Sequence, residues 1–168
     1  RQQVASLIGA DASEIVFTSC GTESDNMAIR GMAEVASEHP HIITSKVEHP
    51  AVLAVAQHLT SRDGTLVELS VDSQGLIDLD ELRDSITDDT TIVTLMWANN
   101  ETGVIFPIDQ IAQIVKDAGC IFHTDAVQAV GKIPIDVSKT PIDMLSLSGH
   151  KIHAPKGVGA IYIRKGTK

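Results

Sequence analysis

Thr91-Ile92-Val93-Thr94-Leu95-Met96-Trp97 is a run of apolar and β-branched residues without polar alternation. A strand of this kind is covered on both faces, as in the interior of a parallel sheet flanked by helices. The rest of the chain repeats the pattern. Strands are predicted over 14–19, 41–45, 65–71, 120–125, 142–147 and 157–163, and helical spacing over 1–8, 27–37, 51–59, 78–86 and 108–118. Gly9 and Gly119 stop two of the helices, and Pro50 suits the first turn of another. Strands alternating with helices predict an α/β fold: one mostly parallel sheet with helices on both faces. No repeat, linker or low-complexity segment interrupts residues 1–163, and 164–168 read as a tail.

The 168 residues, 43% hydrophobic, suffice for one domain with a proper core. A formal charge of −9, with no basic cluster beyond Arg164-Lys165, argues against nucleic acid and anionic membrane surfaces. No apolar run approaches the roughly 20 residues that span a bilayer. Cys20 and Cys120, far apart in sequence, make neither a disulfide framework nor a zinc spacing, so a reducing, cytoplasmic compartment is the simpler assumption. No signal peptide is visible. Because the sequence begins at Arg1 rather than Met, an upstream portion is expected to be missing.

Several chemistries lack their motifs. There is no Gly-x-Gly-x-x-Gly opening a helix, no Gly-x4-Gly-Lys-Ser/Thr loop and no Gly-x-Ser-x-Gly elbow. His150-x-x-His153 is without the pattern of a zinc helix, so no metal site is expected.

What remains is a set of polar residues at the predicted carboxyl ends of strands, where ligands collect in open α/β sheets: Thr22, His49, Asn100, Asp125, Gln128, Ser148, His150 and Lys151. The set suits a flat, phosphorylated aromatic aldehyde bonded to a lysine, namely pyridoxal phosphate. A helix start and hydroxyls (Thr22, Ser148) would meet the phosphate, and an imidazole (His49) would stack on the ring. A buried carboxylate (Asp125) would keep the pyridine nitrogen protonated, and amides (Asn100, Gln128) would reach a ring oxygen. Lys151 would bond the aldehyde carbon, its amine kept nucleophilic by partial desolvation and neighbouring positive charge. Plainer readings stand beside these: Thr22 as a helix N-cap, His49 as a solvated loop histidine, Lys151 as a surface lysine.

Five strings in order carry a resemblance: Phe17-Thr18-Ser19-Cys20-Gly21-Thr22-Glu23-Ser24-Asp25-Asn26, Val47-Glu48-His49-Pro50-Ala51-Val52-Leu53, Asn99-Asn100-Glu101-Thr102-Gly103, His123-Thr124-Asp125-Ala126-Val127-Gln128 and Ser148-Gly149-His150-Lys151. Together they resemble the cysteine desulfurases of the NifS/IscS-like group, class V aminotransferase-family enzymes of pyridoxal-phosphate fold type I. The resemblance implies that Lys151 holds the cofactor, His49 stacks on its ring and Asp125 pairs with its ring nitrogen. Asn100 and Gln128 would lie at the ring oxygen, and Gly21, Thr22, Ser148 and His150 at the phosphate. His49 and Gln128 would assist proton transfers. The implied reaction takes sulfur from L-cysteine, leaving alanine and an enzyme persulfide. A sulfur-acceptor or scaffold protein, often in iron–sulfur cluster assembly, would be the partner, and the full-length enzyme a homodimer.

In that family the persulfide cysteine and the arginine that clamps the substrate carboxylate lie well beyond the lysine, in a segment this sequence does not contain. A first strand ahead of Arg1 is also missing. The expectation is therefore a cofactor-binding large domain over 1–168, incomplete at both ends, without its small domain and inactive by itself. Selenocysteine lyase, a class V aminotransferase and a non-catalytic cofactor-binding fragment remain the alternatives. Cys20, beside the proposed phosphate loop, and Cys120, inside a predicted strand, are read as structural. Faces that would pack on the absent parts are expected to be bare.

Overall fold

The computed structural model describes residues 1–36 and 38–167; the predicted end of the second helix at Ser37, and Lys168 in the tail, lie outside the described residues. Among the described residues, seven strands form one sheet: β1 (Ile15–Thr18), β2 (His41–Ser45), β3 (Thr65–Leu69), β4 (Thr90–Thr94), β5 (Phe122–Asp125), β6 (Met144–Ser148) and β7 (Gly159–Ile163), in the order β1-β7-β6-β5-β4-β2-β3. The five strands from β2 to β6 run parallel, as predicted. β7 departs from that direction and pairs antiparallel with both β6 and β1. Only a short turn and loop separate β6 from β7, too little for the helical crossover that a parallel return needs.

Among the described residues, five α-helices flank the sheet: α1 (Gln2–Ile8), α2 (Gly21–Ala36), α3 (Pro50–Thr60), α4 (Leu79–Ser85) and α5 (Ile108–Asp117). The strands sort their side chains by alternation. Ile42, Ile92, Met144 and Ile161 pack under Ala28, Ile29, Val52 and Val55 of α2 and α3. Ile43, Val93, Phe122 and Leu145 face Ile8, Leu82, Ile111 and Val115 of α1, α4 and α5. Both faces of the sheet are covered, as the apolar run in β4 requires. That run stays buried beyond the strand proper, with Leu95 N–H bonded to His123 O (3.2 Å) and Trp97 N–H to Asp125 O (2.9 Å).

The second helix starts six residues earlier than apolar spacing places it, at Gly21 rather than Met27. Its first turns are polar because their side chains serve the helix start. The Glu23 carboxylate accepts from Ser19 N–H and Ser19 Oγ (both 2.6 Å), and Ser24 Oγ lies 2.9 Å from Thr18 Oγ1. Thr22 lies inside the first turn, so the N-cap reading is replaced by this reach-back from Glu23. Bare apolar side chains occur: Val16 and Phe17 on edge strand β1, and Leu7, Met27, Val35 and Ile105 elsewhere.

Candidate functional site

The loops that leave β2, β4, β5 and β6 all emerge at one edge of the sheet, and α2 starts there too. His49 follows β2, Asn100 follows β4, Asp125 ends β5 and Gln128 comes just after it. Ser148 ends β6, and His150 and Lys151 sit in the 3-10 turn Gly149–Ile152. Gly21 and Thr22 open α2.

Close packing joins these elements. A Cβ on Gly21 would lie 2.7 Å from Val127 Cγ2 and 3.4 Å from Ser148 Cβ, so only glycine lets the helix start settle against the ends of β5 and β6. Likewise, a Cβ on Gly159 would lie 2.6 Å from the carbonyl carbon of Cys20, which seats the preceding loop on β7. Ser148 Oγ lies 2.8 Å from His150 Nδ1. Gly21, Ser148 and His150 thus come together at the start of α2, where a helix terminus favours an anion such as phosphate.

Asp125 pairs in register with Ser146 of β6, two residues before Ser148. Its Oδ1 accepts the Val127 N–H (2.9 Å). Burial raises the Asp125 carboxyl above its ordinary value, while the Val127 bond and the His49 imidazole oppose the rise. His49 also caps α3, its Nδ1 accepting the Ala51 N–H at 3.1 Å. The ring is exposed, as the solvated-histidine reading has it, and is also fixed by its own helix. Lys151 is exposed, so the expected partial desolvation of its amine is not provided by this chain. Its turn nevertheless leaves the strand beside that of Asp125, from the same edge.

Two amides are arranged differently from expectation. Asn100 is exposed, while its neighbour Asn99 organises the loop: Nδ2 donates to Val47 O (3.1 Å) and Oδ1 accepts the N–H groups of Glu101 and Thr102 (2.9 Å each). Gln128 Oε1 is engaged by Lys132 Nζ (2.8 Å). Neither cysteine is an obvious participant. Cys120 lies just ahead of β5 rather than inside it, at the opposite edge of the sheet, and burial raises its thiol. Cys20 sits at the helix start, where the Glu23 N–H and the Ser19 hydroxyl lower its thiol.

Sequence reasoning missed a buried polar layer directly beneath Asp125. His123 is fully buried, with Nδ1 2.8 Å from Thr94 Oγ1 and Nε2 2.9 Å from Ser146 Oγ. Burial drops its imidazole to about 3, so it is neutral. Asp25 of α2 is 3.7 Å from His123 Nε2, too long for a hydrogen bond, and with a neutral ring the contact is no ion pair. Glu48 Oε1 accepts from Ser45 Oγ (2.8 Å) and Met96 N–H (2.9 Å). Burial, against those two bonds, pushes Glu48 up to about 8. Burial and then the Asp125 charge raise Asp25 well above the ordinary range. A signal existed: His123 is two residues before Asp125 on one face of a strand, and Glu48 adjoins His49.

The class-V aminotransferase family model matches residues 1–168. The cysteine desulfurase of Nostoc sp. (strain PCC 7120) is 60% identical over 168 residues, covering 100% of this chain and 42% of that protein. The cysteine desulfurase NifS of Azotobacter vinelandii is 54% identical over 169 residues, with the same coverage of 100% and 42%. Among solved structures, SspA in complex with cysteine superposes with a TM-score of 0.94 at 41% identity, covering 98% of this chain and 48% of that one. The chain spans 42% of the length of these curated relatives.

Proposed function

The chain belongs to the class-V aminotransferase family, and on that premise we propose that it forms the pyridoxal-phosphate-binding part of a cysteine desulfurase. The observation that carries the reading is the convergence of Gly21, His49, Asp125, Ser148 and the Lys151 turn at one edge of the sheet. The residues fit the group, since the start of α2 at Gly21 packs against the ends of β5 and β6, beside Ser148, whose Oγ lies 2.8 Å from His150 Nδ1. When bound, the cofactor supplies a cationic ring that takes up electrons from the substrate. Gly21, Thr22, Ser148 and His150 hold the phosphate by N–H and hydroxyl donors. The Asp125 carboxylate holds the proton on the ring nitrogen. His49 would cover the ring, Asn100 and Gln128 would orient its oxygen, and Lys151 would hold the aldehyde carbon, its amine becoming available to move protons at substrate carbon only once the substrate amine has displaced it.

In the whole protein the reaction removes sulfur from L-cysteine, leaving alanine and a protein persulfide. The reading extends to a sulfur-acceptor protein of iron–sulfur assembly as partner, a homodimer as the full-length state and the cytoplasm as the compartment. The relatives' printed names and the cysteine-bound SspA structure support the substrate. The test is chemical. The protein is mixed with pyridoxal phosphate, reduced with borohydride and digested, and the tagged peptide is located by mass spectrometry. A tag on Lys151 is expected; a tag on Lys46 or Lys156, or none, overturns the assignment.

A further inference from the structure

We propose that Asp25 and Glu48 are positioning residues for Asp125: both keep their protons, leaving Asp125 the single carboxylate in the layer beneath the cofactor site. The inference rests on the reading of Asp125 as partner of the ring nitrogen. Three carboxyl groups share this layer, with exposures of 1% for Asp25, 5% for Glu48 and 8% for Asp125. The ionisable groups reaching it are Cys20 and Asp25 from the start of α2, Glu48 and His49 from the loop after β2, and His123 and Asp125 from β5. β4 and β6 bring hydroxyls, Thr94 and Ser146, while His150 and Lys151 beyond β6 are exposed. Among the described residues, no lysine or arginine pairs with any of the three acids.

Geometry decides which acid can be charged. Asp125 has a backbone N–H on Oδ1, the most open position and the His49 imidazole near it. Asp25 Oδ1 and Glu48 Oε2 are buried with no hydrogen-bond partner among the described residues. A buried carboxylate with an unpaired oxygen is far costlier than the neutral acid, and two further negative charges beside Asp125 would raise that cost. His123 takes up neither proton, since it is fully buried, has no ion-pair partner within hydrogen-bond distance, and burial disfavours its charged form. An Asp125 thus kept ionised can hold a ring-nitrogen proton. Were the charge to sit on Asp25 instead, a protonated Asp125 could not do so.

Carbon-13 NMR of the carboxyl carbons in the cofactor-free protein reads each charge directly, with Asp25→Asn, Glu48→Gln and Asp125→Asn providing assignments. Near neutral pH, Asp25 and Glu48 are expected at the protonated position and Asp125 at the ionised one. The Asp125 midpoint should be unchanged in Asp25→Asn and Glu48→Gln, because each amide replaces a neutral group. Ionised Asp25 or Glu48 near neutral pH, or an Asp125 midpoint falling by about one unit or more in either variant, overturns the proposal. If one variant does not fold, the parent titration and the other variant still decide. Loss of the Lys151 tag with these resonances intact would sink the cofactor reading alone; a tag on Lys151 with three ionised acids would sink the charge allocation alone.

Discussion

Glu48 Oε1 accepts the backbone N–H of Met96 at 2.9 Å, and this bond ties the loop carrying His49 to the continuation of β4. The same oxygen takes the Ser45 hydroxyl at 2.8 Å. In Glu48→Ala both donors are left buried and unpaired, which should cost about 1–3 kcal/mol. Glu48→Gln keeps the acceptor and should stay within about 1 kcal/mol of the parent. Urea midpoints measured at mildly acidic pH check the ordering. Equal losses in the two variants would mean that the acceptor is not what Glu48 contributes.

Gly21→Ala places a methyl group 2.7 Å from Val127 Cγ2, so the start of α2 and the Val127 side chain must separate at the phosphate end of the site. Pyridoxal phosphate affinity should fall about tenfold or more, equivalent to about 1.4 kcal/mol. Val127→Ala removes the atom in the way, and the double variant should recover most of the affinity. Absorbance titration with pyridoxal phosphate reads both. A double variant as weak as Gly21→Ala would assign the loss to something other than this contact.

The parallel sheet was legible because β4 is an unbroken apolar or β-branched run, because Ile42-Ile43-Thr44 and Ile121-Phe122 mark β2 and the entry to β5, and because Gly9, Pro50 and Gly119 mark helix ends chemically. The early start of α2 was hidden, since Thr22 to Asn26 have no apolar period and the structure spends their side chains on the helix start. The reversal of β7 depends on a connection too short for a helix, a fact of length rather than pattern. At the site, Asp125, Ser148 and Lys151 were readable from their places at strand ends. The loop-organising role of Asn99 beside Asn100 was not legible, because two adjacent asparagines look alike until one is buried and bonded to Val47. Asp25 and Glu48 escaped notice because a polar residue in a helix or loop reads as solvated until packing shows its burial.

His49 combines two tasks that substitution can separate. Its Nδ1 caps α3 through Ala51 N–H, and its exposed ring is the group proposed to cover the cofactor. His49→Ala loses both, with a capping cost of about 1 kcal/mol. His49→Asn restores a good cap but no aromatic face. Thermal unfolding of the cofactor-free protein should therefore show His49→Asn near the parent and His49→Ala below it, while both bind pyridoxal phosphate more weakly. If His49→Asn binds the cofactor as the parent does, the ring is dispensable and stacking is the wrong role.

Stability should peak on the acid side of neutral, because two buried groups pull in opposite directions. The Glu48 carboxyl rises from 4.5 to about 8, so between those values the folded state binds more protons than the unfolded one and stability falls as pH rises. The raised carboxyls of Asp25 and Asp125 act in the same sense. His123 is lowered from 6.5 to about 3, so between those values the unfolded state binds more protons and stability falls as pH drops. The Glu48 and His123 effects oppose one another between 4.5 and 6.5 and act singly outside that window. With Asp25 and Asp125 adding to Glu48, urea midpoints should be highest at the acid end of the window and decline from there toward about 8, a decline that Glu48→Gln reduces. A parent whose midpoint climbs from 6.5 upward, or a Glu48→Gln variant with an unchanged alkaline limb, would show that Glu48 does not carry its proton at neutral pH.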